Sequence, residues 1–488
     1  MERPRFNPER EREFITRGWW RDDTLPKWLA RHAVERADSP AMVFSGGAVT
    51  WKALQERVLK VAQCLKTRGV SHGDVVAVQL PNIPEFIIAY LAITRLRAVM
   101  CTLHMPYRGA EIEAILGHSQ ARLFLNSAAS VSELEDADPL TADHPEPDPE
   151  DPFLLLYTSG TTASPKGVPH PYRTMLSNAR LGAKEHRLTE DDRILSPAPF
   201  SHLYGLYSLH CAWAVGACTV LLPAFKPEDL AGVIQNQKPT ALWTAPAHIA
   251  ACRAAGLFER HDWSSLRLAI VSGSSAPPAL IREFAAALPQ CAVTQLWGMT
   301  ELQAGLYTRP GDPLEWSASS AGRPSPGAEV RISPEGEILV RGPLLFSGYF
   351  NNPEEDKTAF TPDGWFRSGD LGELREGGNI AITGRIKDII NRGGVKFNPL
   401  DVEKLLDSHP KIMQSAIVPM PDPVLGEKAC VFVTLKTPSE KITLDELVDY
   451  LLKKNIAKNK LPERLVVVPE MPLTPTRKII KGRLRVLD

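Results

Sequence analysis

The feature that most constrains the fold of this chain is the alternation of short apolar runs with longer helical patterns. Residues 74–80 (DVVAVQL) form a strand-like run, residues 84–98 have helical spacing of apolar side chains, and residues 99–103 (VMCTL) are strand-like again. The same rhythm recurs at residues 241–246, 266–275 and 292–298. Such an order is typical of mostly parallel sheets covered by helices, so most of the chain is predicted to be α/β.

The pattern changes in the last part of the chain. After Gly384 short strands and amphipathic helices lead to a basic tail, which predicts a small α+β domain of about a hundred residues. With 488 residues, the whole chain has room for about three domain-sized units.

The overall charge excludes some partners. The chain has 56 Lys and Arg against 57 Asp and Glu, a net charge of -1, which gives no sign of a nucleic-acid or anionic-membrane partner. Its seven cysteines are scattered and form no C-x-x-C pair, so we expect neither a disulfide framework nor a zinc site. This usage favours the reducing cytoplasm.

Three segments bear on location and flexibility. The start, MERPRFNPEREREF, lacks the apolar stretch of a signal peptide. Residues 203–222 have the length of a membrane span, but Gly216 followed by CTVLLP favours a buried helix, a turn and a short buried strand. Residues 133–151 contain nine acidic residues, four prolines and no Lys or Arg, which predicts an extended, solvated linker or a surface loop.

The most informative stretch is residues 157–169, YTSGTTASPKGVP, which follows the apolar run FLLL. A strand that leads into a loop rich in hydroxyls and backbone N–H groups, with a lysine at its end, suits a polyphosphate. The donors are Thr158, Ser159, Gly160, Thr161, Thr162 and Lys166. A Walker A loop is excluded because the lysine precedes Gly167 and no hydroxyl follows it. A plain Ser/Thr/Gly-rich turn with a surface lysine is the structural alternative.

Six motifs in register carry a resemblance to a known superfamily. They are YTSGTTASPKG (157–167), FSHLYG (200–205), WGMTE (297–301), GWFRSGDL (364–371), GRIKDIINRGGVKFNP (384–399) and PLTPTRKI (472–479). Through them nearly the whole chain resembles the adenylate-forming superfamily of acyl-CoA synthetases, aryl-AMP ligases, adenylation domains and luciferases. GWWRDDTLPKWL and QLPNIPEF look most like acid–CoA ligases of the cyclohexanecarboxylate, aryl or medium-chain type and 2,3-dihydroxybenzoate–AMP ligases.

The resemblance implies a fold and a reaction. The expected fold is a large N-terminal multi-sheet α/β adenylation domain over residues 1–386 and a small mobile α+β domain over residues 387–488. The expected reaction uses ATP and Mg²⁺ to convert a carboxylic acid to an acyl-adenylate and then transfers the acyl group to CoA. The alternative acceptor is the phosphopantetheine of a separate carrier protein.

The resemblance also assigns residues to ATP and to catalysis. Besides the loop donors, the nucleotide is expected to contact Gly273, Ser274, Ser275, Ala276, Trp297, Gly298, Asp370 and Arg385. Thr300 is expected to contact the α-phosphate, Glu301 to hold Mg²⁺, and Lys478 to act as the mobile catalytic cation. The structural alternatives are a helix-start carboxylate for Glu301, a turn aspartate for Asp370, and a solvated basic tail for Lys478.

The second half-reaction and the acid pocket follow from the same resemblance. Lys387 corresponds to the hinge, and Gly393 and Gly394 to the passage for the pantetheine arm. The acid pocket would be formed by His202, Tyr204, Trp243, Ala247 and Ser274. His202 would also open the thiol tunnel, its alternative being a packed core histidine. Ser201 stands where amino-acid-activating domains place an aspartate, so we expect an aromatic, alicyclic or medium-chain acid.

The sequence departs from the family pattern at three places. Arg477 replaces the glycine that usually precedes the catalytic lysine, and Lys481 nearby is a rival for its role. Ala163 and Ser164 stand where many relatives have a glycine first, and the acidic segment is shorter than its family counterpart.

Overall fold

The computed structural model describes residues 7–141, 143–158, 166–474 and 478–484. The chain divides into two compact units. The first contains Met1–Val330 and Val340–Phe366, and the second contains Arg331–Leu339 and Arg367–Asp488. The boundary expected between residues 386 and 387 therefore lies inside the second unit. It was inferred from the position of a hinge, and as a hinge position it stays a prediction.

The helices of the first unit begin at recognisable caps. The Thr24 and Thr50 hydroxyls accept from backbone N–H groups three residues on, and prolines stand in the first turn of several helices. The helices are α1 (Pro8–Thr16), α2 (Leu25–Glu35), α3 (Trp51–Thr67), α4 (Pro84–Arg95), α5 (Gly109–Ser119), α6 (Ala128–Ser132), α7 (Tyr172–Glu185), α8 (Leu203–Val215), α9 (Pro227–Gln237), α10 (Pro246–Ala254), α11 (Leu257–Arg260), α12 (Pro278–Ala287), α13 (Leu314–Ser319) and α14 (Pro353–Ala359).

The strands of the first unit form two sheets. They are β1 (Pro40–Phe44), β2 (Gly47–Thr50), β3 (Val75–Val78), β4 (Val99–Thr102), β5 (Leu123–Leu125), β6 (Pro152–Thr158), β7 (Lys166–Pro171), β8 (Arg193–Leu195), β9 (Cys218–Val220), β10 (Ala241–Thr244), β11 (Leu268–Val271), β12 (Ala292–Met299), β13 (Gln303–Tyr307) and β14 (Arg323–Pro324). The sheet orders are β5-β3-β4-β6-β7 and β14-β13-β12-β11-β10-β8-β9-β1-β2. Inner pairs are parallel and antiparallel pairs stand at the margins, which confirms the α/β prediction.

The apolar segment at residues 203–222 is part of the core. Helix α8 is almost entirely buried, Gly216 ends it in the left-handed conformation, and β9 follows, as the sequence predicts. Among the described residues, no helix combines the length and the apolar character that a membrane span requires.

The acidic segment at residues 133–151 lies on the surface but is not a free linker. Its two leucines, Leu134 and Leu140, are buried. Four arginines of the surrounding helices and loops hold its carboxylates. The ion pairs are Arg57–Glu135 (2.6 Å), Arg95–Glu146 (3.3 Å), Arg97–Asp151 (3.0 Å) and Arg173–Glu150 (2.7 Å). Of the two forms expected from the sequence, the surface loop is confirmed and the solvated linker is wrong.

The later part of the chain includes the small α+β region that the sequence predicts after Gly384, preceded by a further sheet. Its elements are β15 (Glu329–Ile332), β16 (Glu337–Arg341), β17 (Phe366–Leu374), β18 (Ile380–Arg385), β19 (Ile390–Arg392), β20 (Val395–Phe397), α15 (Leu400–Leu406), β21 (Ile412–Asp422), β22 (Gly426–Leu435), α16 (Leu444–Lys453) and β23 (Arg464–Val467). Strands β15-β16-β17-β18 form one sheet, and β20-β19-β22-β21 form another, with β23 beside β22. Apolar residues such as Ile390, Val431 and Leu447 form a core of their own.

All seven cysteines lie in the described part of the chain and are free, which agrees with the expected lack of disulfides. Cys64 is partly exposed and the other six are buried. Burial raises the pKa of Cys101 to about 12 and that of Cys430 to about 11.

Candidate active site

Four neighbouring strands of the nine-stranded sheet end at the same edge. Strands β8, β10, β11 and β12 are parallel neighbours, so the loops that follow their carboxyl ends lie along one side of the sheet. His202 lies in the loop after β8, Ala247 in the first turn of α10, Gly273 just after β11, and Thr300 just after β12. The topology thus gathers several residues that the sequence selected from separate motifs.

The motif that contains His202 forms the N-terminus of α8. His202 is partly buried, and its Nδ1 accepts a hydrogen bond from the backbone N–H of Tyr204 at 3.1 Å. Its ring stacks on that of His104, with centroids 6.1 Å apart, and His104 Nδ1 shares a 2.9 Å hydrogen bond with the Ser201 hydroxyl. Burial lowers the pKa of His104 to about 4, so this ring is neutral. The sequence reading did not single out His104.

The acid-pocket candidates divide into buried and accessible side chains. The Tyr204 hydroxyl donates to the carbonyls of Thr244 (3.2 Å) and Ile270 (2.6 Å), which ties α8 to β10 and β11. Trp243 is fully buried in the core. The partly or fully exposed candidates are His202, Ala247 and Ser274. Their roles in acid binding remain predictions.

The loop after β11 presents its backbone to solvent. Gly273 has a φ of +93°, in the left-handed region that favours glycine. Ser274 and Ser275 are exposed and Ala276 is partly buried. Trp297, on the neighbouring β12, is almost buried. These positions suit the expected approach of a nucleoside to a backbone loop beside an aromatic ring.

Glu301 lies in the tight turn between β12 and β13. The turn depends on Gly298, because a Cβ there would lie 1.9 Å from the carbonyl oxygen of Gln303. Thr300 is partly buried in the same turn. The Glu301 carbonyl accepts a hydrogen bond from the Phe346 N–H at 2.9 Å, which fixes the turn against the chain leading to α14.

The described ends of the phosphate-loop motif are adjacent. Thr158 at the end of β6 pairs with Lys166 at the start of β7. The expected donors Ser159, Gly160, Thr161 and Thr162, and the unusual pair Ala163–Ser164, lie outside the described residues. The Lys166 ammonium forms an ion pair with Glu355 and lies 5.8 Å from the Tyr349 ring centroid.

Tyr349 and Glu355 were missed by the sequence reading. The Tyr349 hydroxyl donates to Glu301 Oε1 at 3.0 Å, and the Phe350 N–H donates to the Gly167 carbonyl at 2.8 Å. Burial, followed by the charge of Glu301, raises the pKa of the Tyr349 phenol, so it stays a donor. Lys166, Tyr349, Glu301 and Glu355 thus form one cluster. For the two missed residues the signal in the sequence is SGYFNNPEED, where the acidic residues also suit a helix start.

The cluster matches the way proteins hold magnesium with a nucleotide. Among the described residues, no group of three or more His, Cys, Asp or Glu side chains could hold a metal ion by itself. Mg²⁺ is commonly bound by one or two carboxylates together with substrate phosphates. The Glu301 carboxylate, which Tyr349 connects to the Lys166 ammonium, fits an ion that arrives with ATP.

A second group of candidates lies within the second unit. Asp370 on β17 faces Arg385 on β18 in the antiparallel register, and Arg385 Nε lies 3.0 Å from Asp370 Oδ1. The Asp370 N–H donates to the Ser368 hydroxyl at 3.1 Å, and Asp370 is only 4% exposed. A buried carboxylate with a guanidinium partner is a fixed hydrogen-bonding edge of the kind expected for ribose hydroxyls.

Lys478 lies close enough to Asp370 and Arg385 for their charges to change its pKa. Its backbone N–H donates to the Thr474 hydroxyl at 2.9 Å, whereas Arg477 lies outside the described residues. The pKa of Lys478 is lowered to about 8, first by burial and then by the charge of Arg385, with Asp370 opposing the change. Lys387, the predicted hinge residue, adds a smaller lowering effect. The structure therefore brings Asp370, Arg385 and Lys478 together.

Lys481, the rival for the catalytic role, is engaged elsewhere. Its ammonium lies 2.7 Å from Glu403 Oε1 and 3.9 Å from Asp388 Oδ2. These ion pairs link Lys481 to α15 and to the segment between β18 and β19, which is a structural role.

Gly393 and Gly394 form the two-residue turn of the β19–β20 hairpin. Their φ values are +59° and +86°, and Arg392 pairs with Val395 across the turn, as a type I′ turn requires. A Cβ on Gly394 would meet nothing within 4 Å, so the space beside it is open. The turn alone accounts for both glycines, and the expected passage of a pantetheine arm stays a prediction.

Comparisons with known proteins identify the family. Residues 29–350 match the model of the AMP-binding enzyme family, and residues 401–478 match that of the AMP-binding enzyme C-terminal domain. The medium-chain fatty-acid–CoA ligase of Escherichia coli is 30% identical, over 98% of this chain and 93% of the relative. The salicyl-AMP ligase/salicyl-S-ArCP synthetase of Mycobacterium tuberculosis is 33% identical over the same shares.

The fold agrees with this assignment. The crystal structure of the anthranilate CoA ligase AuaEII in complex with anthranoyl-AMP superposes with a TM-score of 0.87 and 26% identity, covering 95% of this chain and 96% of that one. The chain belongs to the AMP-binding enzyme family of adenylate-forming ligases. Its substrates are ATP and an organic acid, and the acceptor of the acyl group is a separate question.

Proposed function

We propose that the protein is an AMP-forming acid–CoA ligase, which activates a carboxylic acid with ATP and transfers the acyl group to CoA. The observation that carries the proposal is Lys478 near the ion pair of the buried Asp370 with Arg385. A cation near a fixed ribose-binding edge is what attack of a carboxylate on the α-phosphate needs, because two anions must meet there.

In the first half-reaction, a carboxylate oxygen of the acid attacks the α-phosphorus of ATP and pyrophosphate leaves. Lys478 stabilises the charge that develops on the α-phosphoryl group, and Thr300 donates to the same group. Lys166 and the loop after Thr158 bind the β- and γ-phosphates, and Glu301 holds Mg²⁺. The cation–carboxylate cluster around Tyr349 supports this assignment, since it combines both kinds of group.

In the second half-reaction, the CoA sulfur attacks the acyl carbonyl and AMP leaves. We assign Gly393 and Gly394 to the path of the pantetheine arm, with the backbone at Lys387 as the pivot between the two half-reactions. The open space beside Gly394 supports this assignment.

The acid is aromatic, alicyclic or medium-chain. His202, Ala247 and Ser274 supply the accessible wall, and no carboxylate at position 201 is present to bind an ammonium group. The curated relatives and the structural neighbour are named for medium-chain, salicyl and anthranilate substrates, which fits the same range.

A carrier protein is the second candidate acceptor. The salicyl-S-ArCP synthetase relative is as similar to this chain as the CoA ligases are. Exposed Lys396 beside the glycine turn favours the phosphates of CoA, whereas Arg392 is paired with Glu463 at 2.5 Å.

The deciding experiment measures pyrophosphate release over a panel of acids, with and without CoA, followed by mass spectrometry of the products. We expect acid-dependent release and an acyl-CoA product at micromolar to millimolar CoA, the ordinary range of KM. An acyl-adenylate that accumulates with CoA present, and is discharged only by a phosphopantetheinylated carrier, would favour the second candidate.

Two pairs of variants separate the half-reactions. Lys387→Pro is expected to keep acid-dependent ATP–pyrophosphate exchange and lose thioester formation, whereas Lys387→Ala, which leaves φ free, keeps both. Gly394→Leu is expected to lose acyl transfer, whereas Gly394→Ala retains more of it. Both variants place a side chain at the same positive φ, so the difference between them reports the size of that side chain. Equal losses within either pair would contradict the assigned role.

A further inference from the structure

The carboxylate of Glu355 forms an ion pair with Lys166, the cation that the proposed function assigns to the ATP phosphates. Lys166 and Glu355 are 189 residues apart in the chain and form an ion pair in which the side chains are 19% and 31% exposed. Burial of this degree limits screening by water, so the pair is stronger than a fully exposed one.

The surroundings hold both partners in place. Lys166 is the first residue of β7 and faces the ring of Tyr349, whose hydroxyl is fixed on Glu301. The Glu355 N–H donates to the Asn352 side chain at the start of α14. The neighbouring Asp356 accepts from the Tyr349 N–H at 2.8 Å. The ion pair forms with Lys166 in β7 and Glu355 in α14.

We propose that Glu355 is a built-in counter-ion that competes with polyphosphate for Lys166. A phosphate that binds Lys166 must displace the carboxylate, and while bound it lies near a like charge. The inference rests on the proposed role of Lys166 in binding phosphates. Glu355 then weakens the binding of ATP and favours the departure of pyrophosphate after adenylation.

The competing explanation is purely structural. Acidic residues are favoured in the first turn of a helix, and Glu355 could serve only to hold α14 against β7. The two explanations predict opposite signs. Loss of a structural tie weakens phosphate binding or leaves it unchanged, whereas loss of a competitor strengthens it.

The test compares Glu355→Gln with Glu354→Gln. Glu354 stands next in the chain, in the same helical turn, but its exposed side chain pairs with Lys357. The probe is inorganic tripolyphosphate with Mg²⁺, whose binding to the full-length protein is measured by calorimetry without any turnover. Glu355→Gln is expected to tighten tripolyphosphate binding about threefold or more, the fold-change that follows from about 0.7 kcal/mol of competition. Glu354→Gln is expected to leave it unchanged.

Kinetics provide the second readout. Glu355→Gln is expected to lower KM for ATP with no change in KM for the acid, and inhibition by added pyrophosphate becomes stronger. Weaker or unchanged tripolyphosphate binding in Glu355→Gln overturns the proposal. A Lys166→Gln variant tests the proposed phosphate role of Lys166 separately from the proposed competition by Glu355. If that variant binds tripolyphosphate as well as the wild type does, the phosphate role of Lys166 itself fails.

Discussion

The two candidate lysines, one in each unit, lie in opposite electrostatic settings. Lys166 in the first unit faces the carboxylate of Glu355 and an aromatic ring. Lys478 in the second unit is partly buried, and its pKa is lowered to about 8, because burial and the charges of Arg385 and Lys387 outweigh those of Asp370 and Asp388. Lys166 is paired with a carboxylate, whereas the surroundings of Lys478 disfavour its charged form.

This difference indicates two ways of preparing a positive charge for an anionic substrate. At Lys166 a substrate phosphate replaces an existing partner, so binding is an exchange. At Lys478 an arriving phosphoryl group relieves an unfavourable setting, so the interaction is strongest when negative charge gathers nearby. We therefore expect Lys166 to influence the affinity for ATP and Lys478 to influence the rate of adenylation.

The largest effect is expected for Lys478→Ala. Loss of a cation that stabilises transition-state charge typically costs about 3 kcal/mol, so adenylation falls about a hundredfold or more. Pyrophosphate release measures this step. Thioester formation from a supplied acyl-adenylate is the control and stays near the wild-type rate, because Lys478 is assigned to the first step alone. An equal loss in both steps would contradict the assignment of Lys478 to adenylation alone.

The pH dependence should report the setting of Lys478. An ammonium is charged below its pKa, so with a pKa of about 8 the charge is lost as the pH rises through that value. The kcat/KM of adenylation, which reports the protein without bound substrate, is expected to fall about tenfold between pH 7 and pH 9. In Lys478→Arg the fall is absent, because a guanidinium stays charged. A wild-type rate that is flat to pH 10 would contradict the lowered pKa.

A smaller effect is expected for Lys166→Gln. Removing a phosphate-binding cation is expected to raise KM for ATP about tenfold, equivalent to about 1.4 kcal/mol, while kcat changes less. Steady-state kinetics at saturating acid separate the two parameters. A loss confined to kcat would mean that both lysines act on the transition state, and the contrast between them would disappear.

The smallest effect is expected for Lys481→Gln. Its ion pairs with Glu403 and Asp388 are partly exposed, so their loss is expected to lower the free energy of unfolding by about 1 kcal/mol or less. Denaturant unfolding measures this change, and adenylation is expected to remain at the wild-type level. If Lys481→Gln instead damages adenylation more than Lys478→Ala does, the assignment of the catalytic lysine is wrong.

The sequence predicted the parallel α/β architecture because strands and helices leave periodic apolar patterns. Residues 74–80, 84–98 and 99–103 correspond to β3, α4 and β4 within a few residues. The buried α8 was also predicted, because Gly216 marks its end. Local patterns of this kind persist in the folded chain.

The parts that the sequence did not predict depend on contacts between distant residues. Glu355 meets Lys166 across 189 positions, and Tyr349 meets Glu301 across 48. Composition indicated an extended linker or a surface loop for the acidic segment, but it did not indicate the four arginines that fix it, which come from α3, α4, the turn after α4, and α7. Ion pairs of this kind leave no periodicity, so only the folded chain reveals them.

The buried cysteines have a consequence for the chemistry of this family. An acyl-adenylate is a mixed anhydride, and any thiolate within reach can take its acyl group. Six of the seven cysteines are buried, and burial raises the pKa of Cys218 to about 11 and that of Cys252 and Cys291 to about 12. These thiols stay protonated and enclosed at neutral pH. Under the proposed function these six thiols do not compete with the acceptor for the activated acid, whereas Cys64 is partly exposed.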